Sequence, residues 1–341
     1  MMEQSHSRWQ KFMERAKREN WGMLPSPPDE RDWPLSRIVA PVTLPRSVRL
    51  DHLVPHIFDQ GRCGTCVGMA GATIKNAFAN RKKVLPESGL SPLFLYTRCK
   101  QEDGIPDQEG TYPRVALKVM QHDGIAPESV LPYSELPQDA CLRFPEITQA
   151  YLDAAQDFKI KAYARLWAVD EMKQALAAGK LIMAGVLVTD SFIQSQKGII
   201  QLPEGRLLGL HAIALCGYDD TKQAFRMVNS WGTAWGEKGF AWLPYAFCEW
   251  KSDLGMTALA EAWAVEGEEV LQPEPTPDPG KKNRIEMWVD NHTAIVNGER
   301  VYLDTPPLIV EGRTLVPARF IAESLGAKVT WYPQEKKVVI E

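Results

Sequence analysis

At 341 residues the chain is long enough for two domains, or for one large domain with an appendage. Hydrophobic residues at 45% and charged residues at 24% exclude a disordered chain, and a formal net charge of -4 gives no reason to expect nucleic acid as a partner. No stretch approaches the ~18 consecutive apolar residues of a membrane span, and the N-terminus lacks the apolar core of about 7–15 residues found in a secretory signal, so cytoplasmic residence or a non-classical export route is expected.

Residues 5–20 place Trp9, Phe12, Met13 and Ala16 at helical spacing between charged residues, the pattern of an amphipathic helix. Pro25-Ser26-Pro27-Pro28-Asp29 then enforces an extended path. Residues 1–40 therefore read as an arm. Packing on the following domain is the favoured reading of it, and a latch or short pro-segment over a cleft is the other. From Gly64 to Lys82 no proline interrupts a helical stretch, and further helices are expected at Pro92–Cys99, Tyr112–His122 and Asp170–Ala178. The pattern then changes to strands at Leu181–Val188, His211–Tyr218, Ala224–Val228 and Gly239–Leu243. Helices first and strands second indicate an α+β domain over residues 41–265.

Residues 266–283 alternate proline with acidic residues and read as a semi-stiff linker. Residues 284–341 form a small second α+β domain, with strands at Ile285–Val289, Thr293–Val296, Val301–Leu303 and Lys336–Ile340. One helix, at Pro317–Leu325, is stopped by Gly326.

Three islands carry chemistry: Gln60-Gly61-Arg62-Cys63-Gly64-Thr65-Cys66, Leu210-His211, and Asn229-Ser230-Trp231-Gly232-Thr233-Ala234-Trp235-Gly236. Cys63 and Cys66 form a C-x-x-C, but no second pair completes a structural zinc site, and no metal or cofactor is expected. Acyl transfer by a thiol requires a thiolate, which a helix N-terminus and an adjacent imidazole both favour; Cys66 and His211 offer these. The Gln60 amide and the Cys66 N–H are candidate donors to the oxyanion, and the Asn229 side chain can hold His211 in one tautomer.

These islands resemble the papain family of cysteine peptidases over about residues 40–265. His211 and Asn229 lie 145 and 163 residues after Cys66, the second separation slightly long for the family. The resemblance implies two subdomains, a helical half carrying Cys66 and a β-rich half carrying His211 and Asn229, with the site in the cleft between them. It implies a peptide or protein substrate and places Trp231 over the Asn229–His211 hydrogen bond. Gly110, Thr111, Tyr112 and Pro113 then fall along the substrate groove, near the pocket for the second residue before the cut, and Leu210 beside it. Departures from the family are Thr65 and Val67 around the nucleophile and Thr111 in place of a second glycine. The family partner of Cys63 is absent near Gln108, which leaves Cys63 a free thiol, while Cys99 and Cys141 stand where the family often has a bridge.

Residues 284–341 resemble the copper amine oxidase N-terminal-like domain, often carried by bacterial surface and secreted proteins. The resemblance rests on Val296-Asn297-Gly298, Asp304-Thr305-Pro306-Pro307, Gly312–Arg319 and Leu325–Trp331. No copper ligand set is legible, since His292 stands alone, and the domain is expected to attach to a cell-surface or protein partner. The expected activity is that of a bacterial-type cysteine endopeptidase. A transpeptidase or amidase on cell-wall peptides, and a catalytically weak fold with a structural or adhesion role, are the rivals.

Overall fold

The helix Cys66–Arg81 (α1) is rich in alanine and free of proline, and it is buried at every position from Cys66 to Ala79. A helix with no solvent face sits at the centre of a fold, and two others close over it. Pro92–Glu102 (α2) starts with proline where no N–H is needed, and the Ser91 hydroxyl accepts the Phe94 N–H at 2.9 Å. Gly68 lets α2 come close: a side-chain carbon there would stand 2.7 Å from the Pro92 carbonyl oxygen. Pro113–His122 (α3) buries the stripe Ala116, Leu117, Val119 and Met120. Three shorter helices follow at Gln149–Ala155 (α4), Val169–Ala177 (α5) and Asp190–Gln194 (α6).

This computed structural model describes residues 22–27, 29–30, 32–40, 44–195, 198–252, 257–267, 284–296, 299–303, 305–310, 313–325, 327, 329–332 and 337–340. The helix expected over residues 5–20 and linker residues 268–283 lie outside them. So do Asn297, Gly298, Asp304, Gly312, Gly326 and Lys328 of the C-terminal motifs.

Seven strands form one antiparallel sheet: Ser47–Arg49 (β1), Ile160–Leu166 (β2), Leu181–Thr189 (β3), Leu207–Asp219 (β4), Ala224–Val228 (β5), Phe240–Pro244 (β6) and Leu259–Gly267 (β7). Their order is β2-β7-β3-β4-β5-β6, with β1 added to the far end of β4. All nine residues of β3 are buried, as suits a central strand covered on both faces. Helices α1 to α3 precede strands β2 to β7 in the chain, which makes the domain α+β as expected. Strands β2 and β7 carry no strong sequence signal. Their inward positions are largely alanines (Ala162, Ala164, Ala262, Ala264), poor strand formers that are held extended by pairing with each other and with β3.

The disulfide expectation needs correction. Cys63 is not free: it is bonded to Cys141, and Cys99 is a buried free thiol. The reason is local. Cys99 points from α2 into the core, while the loop around Cys141 lies against the loop before α1, where the Arg62 N–H donates to Gln138 Oε1 at 2.9 Å.

The chain divides into two compact units, Met1–Val270 and Leu271–Glu341. The second contains a three-stranded antiparallel sheet of Ile285–Met287 (β8), Thr293–Val296 (β9) and Glu299–Tyr302 (β10). It also holds the pairs Leu308–Val310 (β11) with Arg313–Leu315 (β12) and Val329–Tyr332 (β13) with Lys337–Ile340 (β14), and one helix, Ala318–Ser324 (α7). Among the described residues, no helix is long and apolar enough to cross a membrane.

Candidate active site

Cys66 is the first residue of α1, where unpaired N–H groups favour negative charge. It is fully buried, and its Sγ accepts the Ala212 N–H of β4 at 3.3 Å. Ala212 follows His211, so this one contact joins the nucleophile's helix to the strand of the candidate base.

Asn229 follows β5, and its Oδ1 accepts the Ser230 N–H at 2.8 Å, which identifies that atom as the oxygen. The same Oδ1 lies 2.7 Å from His211 Nε2, so Nε2 carries the hydrogen and donates it. The lone pair of His211 therefore sits on Nδ1, the nitrogen available as a base. Trp231 covers the pair, its ring 5.0 Å from the imidazole and tilted by 30°. Trp231 is itself held edge-on by Trp235 and Phe192, with centroids at 5.5 and 5.9 Å.

Gln60 is buried and fixed at both ends of its amide. Oε1 accepts the Ser230 hydroxyl at 2.7 Å, and Nε2 donates one hydrogen to the Cys63 carbonyl at 3.0 Å. The second Nε2 hydrogen remains for another acceptor. Its loop is braced by Tyr133, whose hydroxyl donates to the Gln60 carbonyl at 2.8 Å and is 2.7 Å from Thr65 Oγ1. Thr65, a departure from the family pattern, thus has a structural use.

The residues expected to line the groove are positioned by buried side chains. The Gly110 N–H donates to the Tyr96 hydroxyl at 2.8 Å, and its carbonyl accepts the buried Lys100 ammonium at 2.9 Å. Lys100 also meets Asp103 at 2.9 Å and the Ile105 carbonyl at 2.8 Å. Neither Tyr96 nor Lys100 stands out in the sequence, because a buried lysine on a helix reads there as a solvated one. Tyr112 and Pro113 begin α3. Leu210 is fully buried in β4 opposite Leu187 and belongs to the core.

A segment of the N-terminal arm runs along Thr111, one of the residues expected to line the groove. Met23 pairs in parallel with Thr111: the Leu24 N–H donates to the Thr111 carbonyl at 2.9 Å, and the Thr111 N–H donates to the Gly22 carbonyl at 3.3 Å. Gly22 lies over the nucleophile, where a side-chain carbon would stand 2.9 Å from Cys66 Sγ and 2.3 Å from the Gly64 carbonyl. Beyond Leu24 the arm is anchored by Glu261. Its Oε1 accepts the Ser26 N–H at 3.0 Å and the Ser26 hydroxyl at 3.4 Å, and its Oε2 accepts Arg165 at 2.6 Å and the Trp263 indole at 2.8 Å. Asp32 adds an ion pair to Arg114 at 2.5 Å.

Sealing the site changes its protonation. Burial pushes the Cys66 thiol up to about 12, against N–H groups of Ala212, Val67, Cys66 and Gly22 that favour the thiolate. Burial holds the His211 imidazole down at about 4, against the hydrogen bond to Asn229. Both shifts run in the direction that favours the neutral thiol and the neutral imidazole over the thiolate–imidazolium pair.

A pH dependence of stability follows. The folded value of His211 lies below the ordinary 6.5, so the unfolded chain takes up the proton first as pH falls. The stability tied to the neutral imidazole is intact above 6.5 and is lost as pH falls from there through about 4. Urea midpoints should therefore decline below about pH 6.5, with a contribution from this group approaching ~1.4 kcal/mol per pH unit. A His211→Gln variant should show a shallower decline; equal declines would mean that this histidine is not the group responsible.

A family profile described as papain family cysteine protease matches residues 45–254, and one described as copper amine oxidase N-terminal domain matches residues 279–340. An uncharacterized peptidase C1-like protein of Acanthamoeba polyphaga mimivirus is 27% identical over 266 residues, covering 67% of this chain and 82% of that relative. Cathepsin B-like CP3 of Giardia intestinalis is 27% identical over 203 residues, and the match covers 55% of this chain and 64% of that one. Among solved structures, xylellain, a cysteine protease from Xylella fastidiosa, superposes with a TM-score of 0.64 at 29% identity, over 75% of this chain and 98% of its own.

Proposed function

Because the chain belongs to the papain family of cysteine proteases, we propose that it hydrolyses peptide bonds through Cys66, His211 and Asn229, and that the arm segment Gly22–Ser26 is a built-in plug of the cleft. In the open site His211 Nδ1 takes the Cys66 proton, and the thiolate attacks the scissile carbonyl carbon. The negative charge on the carbonyl oxygen is met by the Cys66 N–H and the second hydrogen of Gln60 Nε2. The imidazolium returns the proton to the departing amine, and Asn229 holds the ring throughout. Water, deprotonated by His211, then splits the thioester and frees the thiol.

The observation that carries this reading is the 3.3 Å contact between Cys66 Sγ and the N–H of Ala212, the residue that follows a histidine whose free ring nitrogen is Nδ1. Intact mass after treatment with a peptidyl epoxide tests it. One adduct on the wild type and none on Cys66→Ser is expected; adducts on both would place the reactive thiol elsewhere. A hydrolase forms free acid even with an amine acceptor present, whereas a transpeptidase would form the new amide.

The plug differs from a substrate in what it shows the nucleophile. Gly22 presents its N–H to Cys66, while its carbonyl is engaged by the Thr111 N–H. With its oxygen bonded to Thr111, the Gly22 carbonyl is not free to meet the Gln60 and Cys66 donors, so the bond after Gly22 is spared. Gln60→Ala should lower kcat by about 10²-fold with little change in KM, since the donor acts on charge that exists only after attack. An equal loss in KM alone would mean that Gln60 binds the ground state.

A further inference from the structure

We propose that Lys100 is a positioning residue that sets how tightly the site holds an extended peptide, by fixing the Gly110 peptide so that the next residue, Thr111, turns both of its backbone groups outward. The proposal rests on the peptidase reading above and adds a residue, remote from the reacting atoms, on which substrate and plug both depend.

The backbone at Gly110 has φ +84°, a left-handed turn that glycine adopts at no steric cost. Both of its polar groups are taken by α2: the N–H by the Tyr96 hydroxyl at 2.8 Å and the carbonyl by the Lys100 ammonium at 2.9 Å. Thr111 is left with its own pair for an incoming chain. In the structure that chain is the arm, with the Thr111 N–H 3.3 Å from the Gly22 carbonyl and the Thr111 carbonyl 2.9 Å from the Leu24 N–H. Gly22 also stands over Cys66, so the arm marks the path of an extended peptide that presents a bond to the nucleophile. The two backbone bonds to Thr111 are therefore common to plug and substrate.

Lys100 is suited to this holding role by where its charge goes. It is buried, and its ammonium meets the Gly110 carbonyl, the Ile105 carbonyl at 2.8 Å and the fully buried Asp103 carboxylate at 2.9 Å. Three acceptors match the three hydrogens of an ammonium. Asp103 Oδ1 accepts the Ile105 N–H at 3.0 Å, so the loop from Asp103 to Gly110 is gathered around one cation. Glu109 ties the same loop to that of the nucleophile, its Oε2 accepting the Gly64 N–H at 2.8 Å. Without the ammonium, two carbonyls and a carboxylate would be left buried with a donor missing, and the loop would shift to find water.

The test uses the full-length chain in two backgrounds and two reagents for Cys66. Iodoacetamide needs only the thiol, whereas a peptidyl epoxide must also lie along Thr111. In the native background Lys100→Met should loosen the plug, and iodoacetamide is expected to label Cys66 about tenfold faster. In the Gly22→Ala background, where the plug cannot seat, the same substitution is expected to slow the peptidyl epoxide about tenfold and to raise KM for a reporter peptide about tenfold. There kcat and iodoacetamide labelling should be unchanged. Tyr96→Phe keeps the ring and removes only the acceptor of the Gly110 N–H. It should move the same quantities in the same directions by about threefold, and it decides the matter if Lys100→Met does not fold. Equal slowing of both reagents, a fall in kcat at constant KM, or no change in either variant overturns the role of Lys100 while leaving the peptidase reading intact. Cys66 unreactive to both reagents in every chain overturns both.

Discussion

Cys66→Ala is expected to lower kcat by about 10⁶-fold, the loss seen when a covalent nucleophile is removed from a site that works as a unit. KM should change little, because the groove and Gln60 remain. The check is a steady-state assay on matched preparations with thermal unfolding as a control. Cys66 lies in the core with its Sγ held by the Ala212 N–H, so alanine there costs one weak contact and leaves α1 in place. A residual rate above about 10⁻³ of wild type would show that another group performs the attack.

The second large effect has the opposite sign. Gly22→Ala should raise the initial rate of peptide cleavage by the full-length chain about 10- to 100-fold. The added methyl would stand 2.3 Å from the Gly64 carbonyl and 2.9 Å from Cys66 Sγ, so the segment cannot seat. A shift of a two-state equilibrium by ~1.4 kcal/mol is tenfold, and losing the burial of Met23 alone is worth about 1.5–3 kcal/mol. The variant should also be alkylated at Cys66 faster and at lower pH, because solvent entry relieves the burial that now holds the thiol at about 12 and the imidazole at about 4. Unchanged cleavage and alkylation would mean that the segment does not obstruct the site.

What was legible in the sequence depended on how local the signal was. Helix α1 was marked by its run free of proline, and α2 and α3 fall close to the spans expected at Pro92–Cys99 and Tyr112–His122. Cys66, His211, Asn229 and Gln60 are grouped by short motifs, and the structure brings all four to one place through the 60–66 loop, β4 and the turn after β5. The Cys63–Cys141 bridge was misread, because pairing depends on which loops meet and not on spacing along the chain. The seat of Met23 was invisible: a side-chain carbon at Gly185 would lie 2.0 Å from Met23 Cε, yet Gly185 looks like any glycine in a strand. The arm was read more readily as a packed appendage, and Pro25 to Pro28 gave only an extended path. Its course along Thr111 rests on backbone pairing that leaves no mark on residue types.

The Cys63–Cys141 bridge carries a practical consequence for handling the enzyme. It closes a loop of 78 residues, and in the chain-entropy account such a closure stabilises a fold by about 4–5 kcal/mol. It also ties down the strip of backbone on which Gln60 and the nucleophile stand. Reducing agent is added to thiol enzymes to protect the working sulfur, and here the same reagent acts on a second sulfur three positions upstream. Titrating reductant should thus give an activity maximum rather than a plateau: too little leaves Cys66 oxidised, and too much unties the floor beneath it.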